Sequence, residues 1–201
     1  YGLSVTGLVN PKDVKKNNGT QCGDVLILTK PLGVGLTLNA LRMDDCSKEM
    51  QERVFKSMTT LNKYACDVLK KYDVHALTDV TGFGLLVHLN EMLDEKNSAV
   101  IYKDSIPYFD DCQKYVEEFY LSGAAQTNRN SVEGKIRFDC DFFTEEILFD
   151  PQTSGGLLAS VSKADLERLE KDFKENNLEL YVVGEVIEKN EYNVYVRGRK
   201  I

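Results

Sequence analysis

The chain has 201 residues, enough for one good-sized core plus an appendage rather than two full domains. Its apolar and charged fractions, 42% and 28%, are ordinary for a soluble globular protein, and no apolar stretch approaches a membrane span. A net charge of −7 with scattered basic residues argues against a nucleic-acid partner, and a polyphosphate ligand would need Mg2+ to screen it.

Residues 2–9 alternate well enough for a strand, and Pro11 to Gly23 is polar and reads as a linker. The opening strand is therefore expected to belong to a preceding domain, the more so because the chain starts on Tyr1 rather than Met; nothing at the start resembles a signal peptide. Asn18-Gly19-Thr20 fits a glycosylation sequon, which means nothing without secretion. Val25–Leu28 reads as a strand buried on both faces, and Gly33 to Met43 as a short apolar helix. Ser47 then caps a long helix whose apolar stripe runs Met50, Val54, Met58, Leu61, Ala65, Val68.

Past residue 86, Leu89, Met92 and Leu93 continue an amphipathic helix, and Val100–Tyr102 is a short strand. Pro107 leads into a helix carrying Phe109, Cys112, Tyr115, Val116 and Phe119. Residues 122–141 lack hydrophobic periodicity and read as the longest structureless stretch. Leu157–Val161 is a strand, and Ser162-x-x-Asp165 a capping box opening a helix through Leu166, Leu169 and Phe173. Two strands, Glu179–Ile187 and Tyr192–Arg197, close the chain as a hairpin. The predicted fold class is α/β (α+β), a mixed sheet covered by helices with a closing β-hairpin.

Three loops carry the chemistry. In Ala76–Leu86 an apolar run ends in Asp79, glycines 82 and 84 flank Phe83, and a helix follows at once. A carboxylate suits Mg2+ and a helix N-terminus suits phosphate, so together they suit a metal–polyphosphate. A tight turn with no ligand is the competing reading of any single Gly-x-Gly. Residues 150–158, Asp-Pro-Gln-Thr-Ser-Gly-Gly-Leu-Leu, form a second such loop, and Thr29-Lys30-Pro31-Leu32-Gly33 a third. Lys30 could neutralise phosphate, but a lysine before proline at a strand end reads first as solvated. His75 reads as a core or rim histidine. The five dispersed cysteines show no CxxC and read as reduced thiols of a cytosolic protein. Cys66 is assigned to the core and Cys22 to an exposed turn.

The segments Thr78–Leu86 with His88, Asp150–Leu158, Tyr1–Gly7 and Gly23–Gly33 together resemble selenophosphate synthetase (selenide, water dikinase). The resemblance implies the C-terminal domain type of the aminoimidazole ribonucleotide synthetase superfamily. Residues 1–18 would be the trailing strand and linker of an N-terminal ATP-binding domain, and 19–201 the C-terminal domain. It implies a cytoplasmic, homodimeric, Mg2+-dependent enzyme converting ATP, selenide and water to selenophosphate, AMP and phosphate.

The catalytic residues would lie in the N-terminal domain, since this chain carries no counterpart of its glycine-rich segment with cysteine or selenocysteine and lysine. The fragment alone is therefore expected to be inactive. Asp79 carries over as a metal ligand. Thr81, Gly82 and Gly84 would shape the phosphate loop, with pure turn geometry as the alternative. For Thr153, Ser154, Gly155 and Gly156 the alternatives are domain packing and substrate-side contacts, and Asp150 opens the same loop with no role assigned. His88 takes no catalytic role. Two rival functions remain: another ATP-dependent member of the superfamily, or a non-catalytic homologue binding nucleotide or a partner.

Overall fold

The computed structural model describes residue 4, residues 6–11 and residues 13–199. Among these residues seven strands form one mixed sheet: β1 (Val25–Leu28), β2 (Val74–Asp79), β3 (Asn97–Tyr102), β4 (Ile136–Phe138), β5 (Leu157–Val161), β6 (Tyr181–Glu188) and β7 (Val194–Arg197). Their order is β2-β5-β1-β6-β3-β7-β4. Neighbours run antiparallel except for β3–β7 and β4–β7, which are parallel.

Among the described residues eight helices cover the sheet: α1 (Val34–Arg42), α2 (Lys48–Thr59), α3 (Lys63–Leu69), α4 (Gly84–Met92), α5 (Cys112–Glu117), α6 (Gly123–Ser131), α7 (Phe142–Phe149) and α8 (Leu166–Glu175). Side chains alternate across a strand, and β1 shows the consequence. Leu26 and Leu28 enter a large core with residues of α1, α2 and α4 to α7, while Val25 and Ile27 enter a smaller one with α3 and α8. That two-sided burial is why β1 reads as an unbroken apolar run.

Several expectations are corrected. Residues 4 and 6–10 form no strand, and Leu8 is fully exposed; residues 1–3 and 5 lie outside the described residues. The second half of the supposed linker lies on the domain instead. Lys16 accepts a hydrogen bond from the Leu77 N–H (2.9 Å), along the side of β2 opposite β5, and Asn97 donates to the carbonyl of Thr20 (2.6 Å). The long helix after Ser47 is two helices. Ser47 does cap α2, accepting from the Met50 N–H at 3.1 Å, but Thr60 turns extended (ψ 120°) and α3 starts afresh. The helix after Pro107 is only α5, and Phe119 falls beyond it with φ +59°.

Residues 122–141 are not structureless, since they hold α6 and β4. Their signal was weak because α6 turns only Ala125 and Asn128 fully inward. The closing hairpin is absent: β3 lies between β6 and β7. The connection crosses the start of β3, where the Ser98 hydroxyl donates to the Tyr192 carbonyl (2.7 Å) and accepts from the Asn190 N–H (3.0 Å). Ser162 makes no side-chain cap; a short 3₁₀ turn, Lys163–Asp165, precedes α8.

Candidate functional site

Asp79 pairs with Leu157, and Leu28 with Leu158. The end of β2, the start of β5 and the end of β1 thus lie at the same edge of three neighbouring strands. The three loops singled out in the sequence leave from that edge, and hydrogen bonds join them. The Val80 N–H donates to the Gly156 carbonyl (2.8 Å), and the Gln152 N–H to the Thr81 carbonyl (3.0 Å). The Leu157 N–H donates to the Thr29 hydroxyl (2.8 Å), and the Thr29 N–H to the Leu157 carbonyl (3.1 Å). Glycine permits the approach: a Cβ at position 155 would collide with the carbonyl oxygen of Val80.

In the first loop Asp79 is exposed at the strand terminus, and its carboxylate has no hydrogen bond or ion pair among the described residues. Gly82 is exposed, with nothing within 4 Å of where a Cβ would stand. Gly84 is different. It has φ +73°, its N–H donates to the Thr81 carbonyl, and a Cβ there would come 2.8 Å from the Phe149 carbonyl oxygen. Turn geometry and close packing therefore account for Gly84.

His88, to which the sequence assigned nothing, holds this loop from below. It is buried, and its Nε2 lies 3.2 Å from both the backbone nitrogen and the hydroxyl of Thr81. Two donors converging on one ring nitrogen require the tautomer with the proton on Nδ1. Nδ1 lies 3.4 Å from a Glu91 carboxylate oxygen without hydrogen-bond geometry. Asn128 was hidden in the supposed structureless stretch. Its amide donates to the carbonyls of Gly82 (2.9 Å) and Phe149 (3.2 Å).

In the second loop Thr153 and Ser154 are exposed, whereas Asp150, Gly155 and Gly156 are buried. Asp150 serves the start of α1: its Oδ2 accepts from the Gly35 N–H and from the Gln152 amide, both at 2.9 Å. Burial outweighs those hydrogen bonds and pushes its pKa up to about 7. The break between α2 and α3 also serves the loop, because Asn62 donates to the Gly155 carbonyl at 2.8 Å.

Lys30 is buried rather than solvated. Its ammonium donates to the Thr60 carbonyl (2.8 Å) and the Ser154 carbonyl (2.9 Å), and burial lowers its pKa. His75 sits at the rim, with Nδ1 2.9 Å from Asp24 and Nε2 3.1 Å from Asp73. Cys22 is exposed as expected, and Cys66 is half-buried against the smaller core.

The sequence model described as "AIR synthase related protein, C-terminal domain" matches residues 21–197, and the chain belongs to that family. Within it, the chain is similar to proteins named selenide, water dikinase. The one from Agathobacter rectalis is 44% identical over 198 residues, 98% of this chain and 58% of the relative. The one from Desulfitobacterium hafniense (strain DSM 10664 / DCB-2) is 41% identical over 195 residues, 96% and 57% respectively. The chain thus spans somewhat over half the length of these curated relatives.

Solved structures share the fold. Thiamine-monophosphate kinase from Stenotrophomonas maltophilia K279a superposes with a TM-score of 0.67 at 16% identity, covering 96% of this chain and 56% of that one. The hydrogenase maturation protein HypE from E. coli gives 0.62 at 16% identity, covering 91% and 49%.

The implied Mg2+ can be tested against the residues present. Among the described residues no group of three His, Cys, Asp or Glu side chains could hold a metal. A single free carboxylate at a strand end fits one ligand of an ion that keeps several waters and shares substrate phosphates. The residues present therefore offer such an ion one carboxylate, Asp79, and no complete site among the described residues.

Proposed function

We propose that this chain is the C-terminal part of an ATP-dependent enzyme that makes selenophosphate from selenide, ATP and water, releasing AMP and phosphate. The observation that carries the reading is Asp79, left free at the edge where the three hydrogen-bonded loops meet. The selenide, water dikinases to which the chain is similar supply the reaction.

In this reading Asp79 would hold Mg2+, and the ion would supply charge neutralisation for phosphoryl transfer. The chain's own part is positioning. His88 fixes Thr81 from below, Asn128 fixes Gly82, and the exposed Gly82 leaves room for a phosphate beside the backbone. Gly84 and Gly155 let the loops pack, and Asp150 anchors the second loop to α1. Thr153 and Ser154, both exposed, face the substrate side. The nucleophile-handling residues lie in an N-terminal domain, the whole protein works as a cytoplasmic homodimer, and residues 19–201 alone turn over no ATP.

AMP release from ATP by the full-length protein, with and without selenide, tests this for wild type and Asp79→Asn. Selenide-dependent AMP formation that Asp79→Asn abolishes is the expected result. AMP formation indifferent to selenide in the wild type would overturn it in favour of another reaction of the superfamily.

A further inference from the structure

A cavity of about 730 Å³ opens at the third loop, where Thr29, Lys30 and Pro31 line it. The β1–α1 loop, α2, the start of α3, residues 106–110 and residues 177–181 form its walls. Its charge is opposite to that of the whole chain. Lys30, Arg53 and Lys56 line it against Asp110 and Glu179, one net positive charge in a chain of net charge −7.

The cations are not equivalent. Arg53 is paired with Asp110 at 2.5 Å. Lys56 is exposed and has no carboxylate partner among the described residues. Lys30 is 7% exposed and is held by two neutral carbonyls, with no carboxylate beside it. An ammonium has three donors, so one is left over after the Thr60 and Ser154 carbonyls. A buried cation without an anion is costly. Ile106, Tyr108 and Leu178 add apolar wall to the same cavity. The volume is that of a site for a small organic molecule and far exceeds one phosphate.

We propose that this cavity binds a phosphate monoester of a small ring-bearing molecule, its phosphate between Lys30 and Lys56 and its ring against Tyr108 and Ile106. A monoester carries close to two negative charges and answers both unpaired ammonium groups, where one carboxylate would answer only one. The site does not depend on the selenide reading. It does touch the same machinery, because Lys30 holds the Ser154 carbonyl of the second loop.

The test is titration of the full-length protein with phenyl phosphate and with inorganic phosphate, in EDTA so that metal-dependent nucleotide binding is silent. Phenyl phosphate should bind saturably and more tightly than inorganic phosphate. Lys56→Glu, on an exposed side chain that folding does not need, should weaken it about tenfold, the scale of one charge-assisted hydrogen bond. Lys30→Met should abolish binding, with Lys30→Arg keeping part of it. If Lys30→Met does not fold, Lys56→Glu carries the test. No saturable binding, or binding indifferent to Lys56→Glu, would overturn the site. Equal binding of the two anions would overturn the assignment to an organic monoester. AMP formation plays no part in this readout, so the two readings can fail separately.

Discussion

The backbone N–H of Gln152 donates to the carbonyl oxygen of Thr81 at 3.0 Å, tying together two loops about seventy residues apart in the sequence. The Gln152 side chain continues the link: its amide donates to Asp150, and its Oε1 accepts from the Val34 N–H that opens α1 (3.3 Å). The loops are thus one built unit rather than separate turns.

That unit separates glycines that look alike in sequence. At Gly155 a Cβ would meet the Val80 carbonyl, while at Gly82 it would meet nothing. Gly155→Ala should therefore destabilise the domain by about 1–3 kcal/mol or more, as overpacking does. Gly82→Ala should stay within about 0.5 kcal/mol of wild type, as exposed substitutions do. Urea unfolding midpoints decide the matter, and equal midpoints for the two variants would contradict the packing described.

The same contrast shows how far the sequence could be read. An α/β fold with a mixed sheet was legible because β1, β2 and β5 are short apolar runs punctuated by glycine and proline. Asp79 and the three loops were legible because each is a local pattern. What failed is non-local. Nothing near Lys30 in sequence reveals that Thr60 and Ser154 enclose it. Nothing in residues 179–197 reveals that β3 inserts between β6 and β7, because strand order is set by partners elsewhere. His88 and Asn128 escaped because a polar residue facing inward on a helix resembles a surface residue until its partner is seen.

Asp150 makes stability depend on pH. Its folded pKa, about 7, lies above the ordinary 3.8 because burial disfavours the charge. Between those values the folded state binds more protons than the unfolded state, so stability falls as pH rises. This contribution is complete below about pH 4. It is lost at about 1.4 kcal/mol per pH unit until pH passes the folded pKa. Asp150→Asn should flatten that part of the stability–pH profile whatever its absolute stability. A slope unchanged from pH 4.5 to 6.5 would show that the carboxyl titrates normally.

His75 acts in the same direction over a later window. Burial alone would lower its pKa, but hydrogen bonds and charge from Asp24 and Asp73 prevail and raise it above the ordinary 6.5. Its contribution is complete below that value and is lost as pH rises through the folded pKa. His75→Gln keeps a donor for Asp24 and should remove the loss above neutrality. Thermal melts of both proteins across the neutral range check this, and parallel curves would mean that His75 binds its proton equally in the folded and unfolded states.

Asn128 is the side chain whose loss should be felt furthest from its own helix. Its amide is the link between α6, the Gly82 carbonyl and the Phe149 carbonyl at the end of α7. Asn128→Ala would leave two carbonyls without this donor, each a penalty of about 1–3 kcal/mol where water cannot replace it. Gly82 is exposed and can recruit water, so most of the cost falls on Phe149. The expected result is a global loss nearer one such penalty than two, with faster amide exchange concentrated in residues 81–85. Gln126→Ala, two residues away on the exposed side of α6, should change neither. If residues 81–85 exchanged at the wild-type rate in Asn128→Ala, Asn128 would be a packing residue of α6 and not the tether of the Asp79 loop.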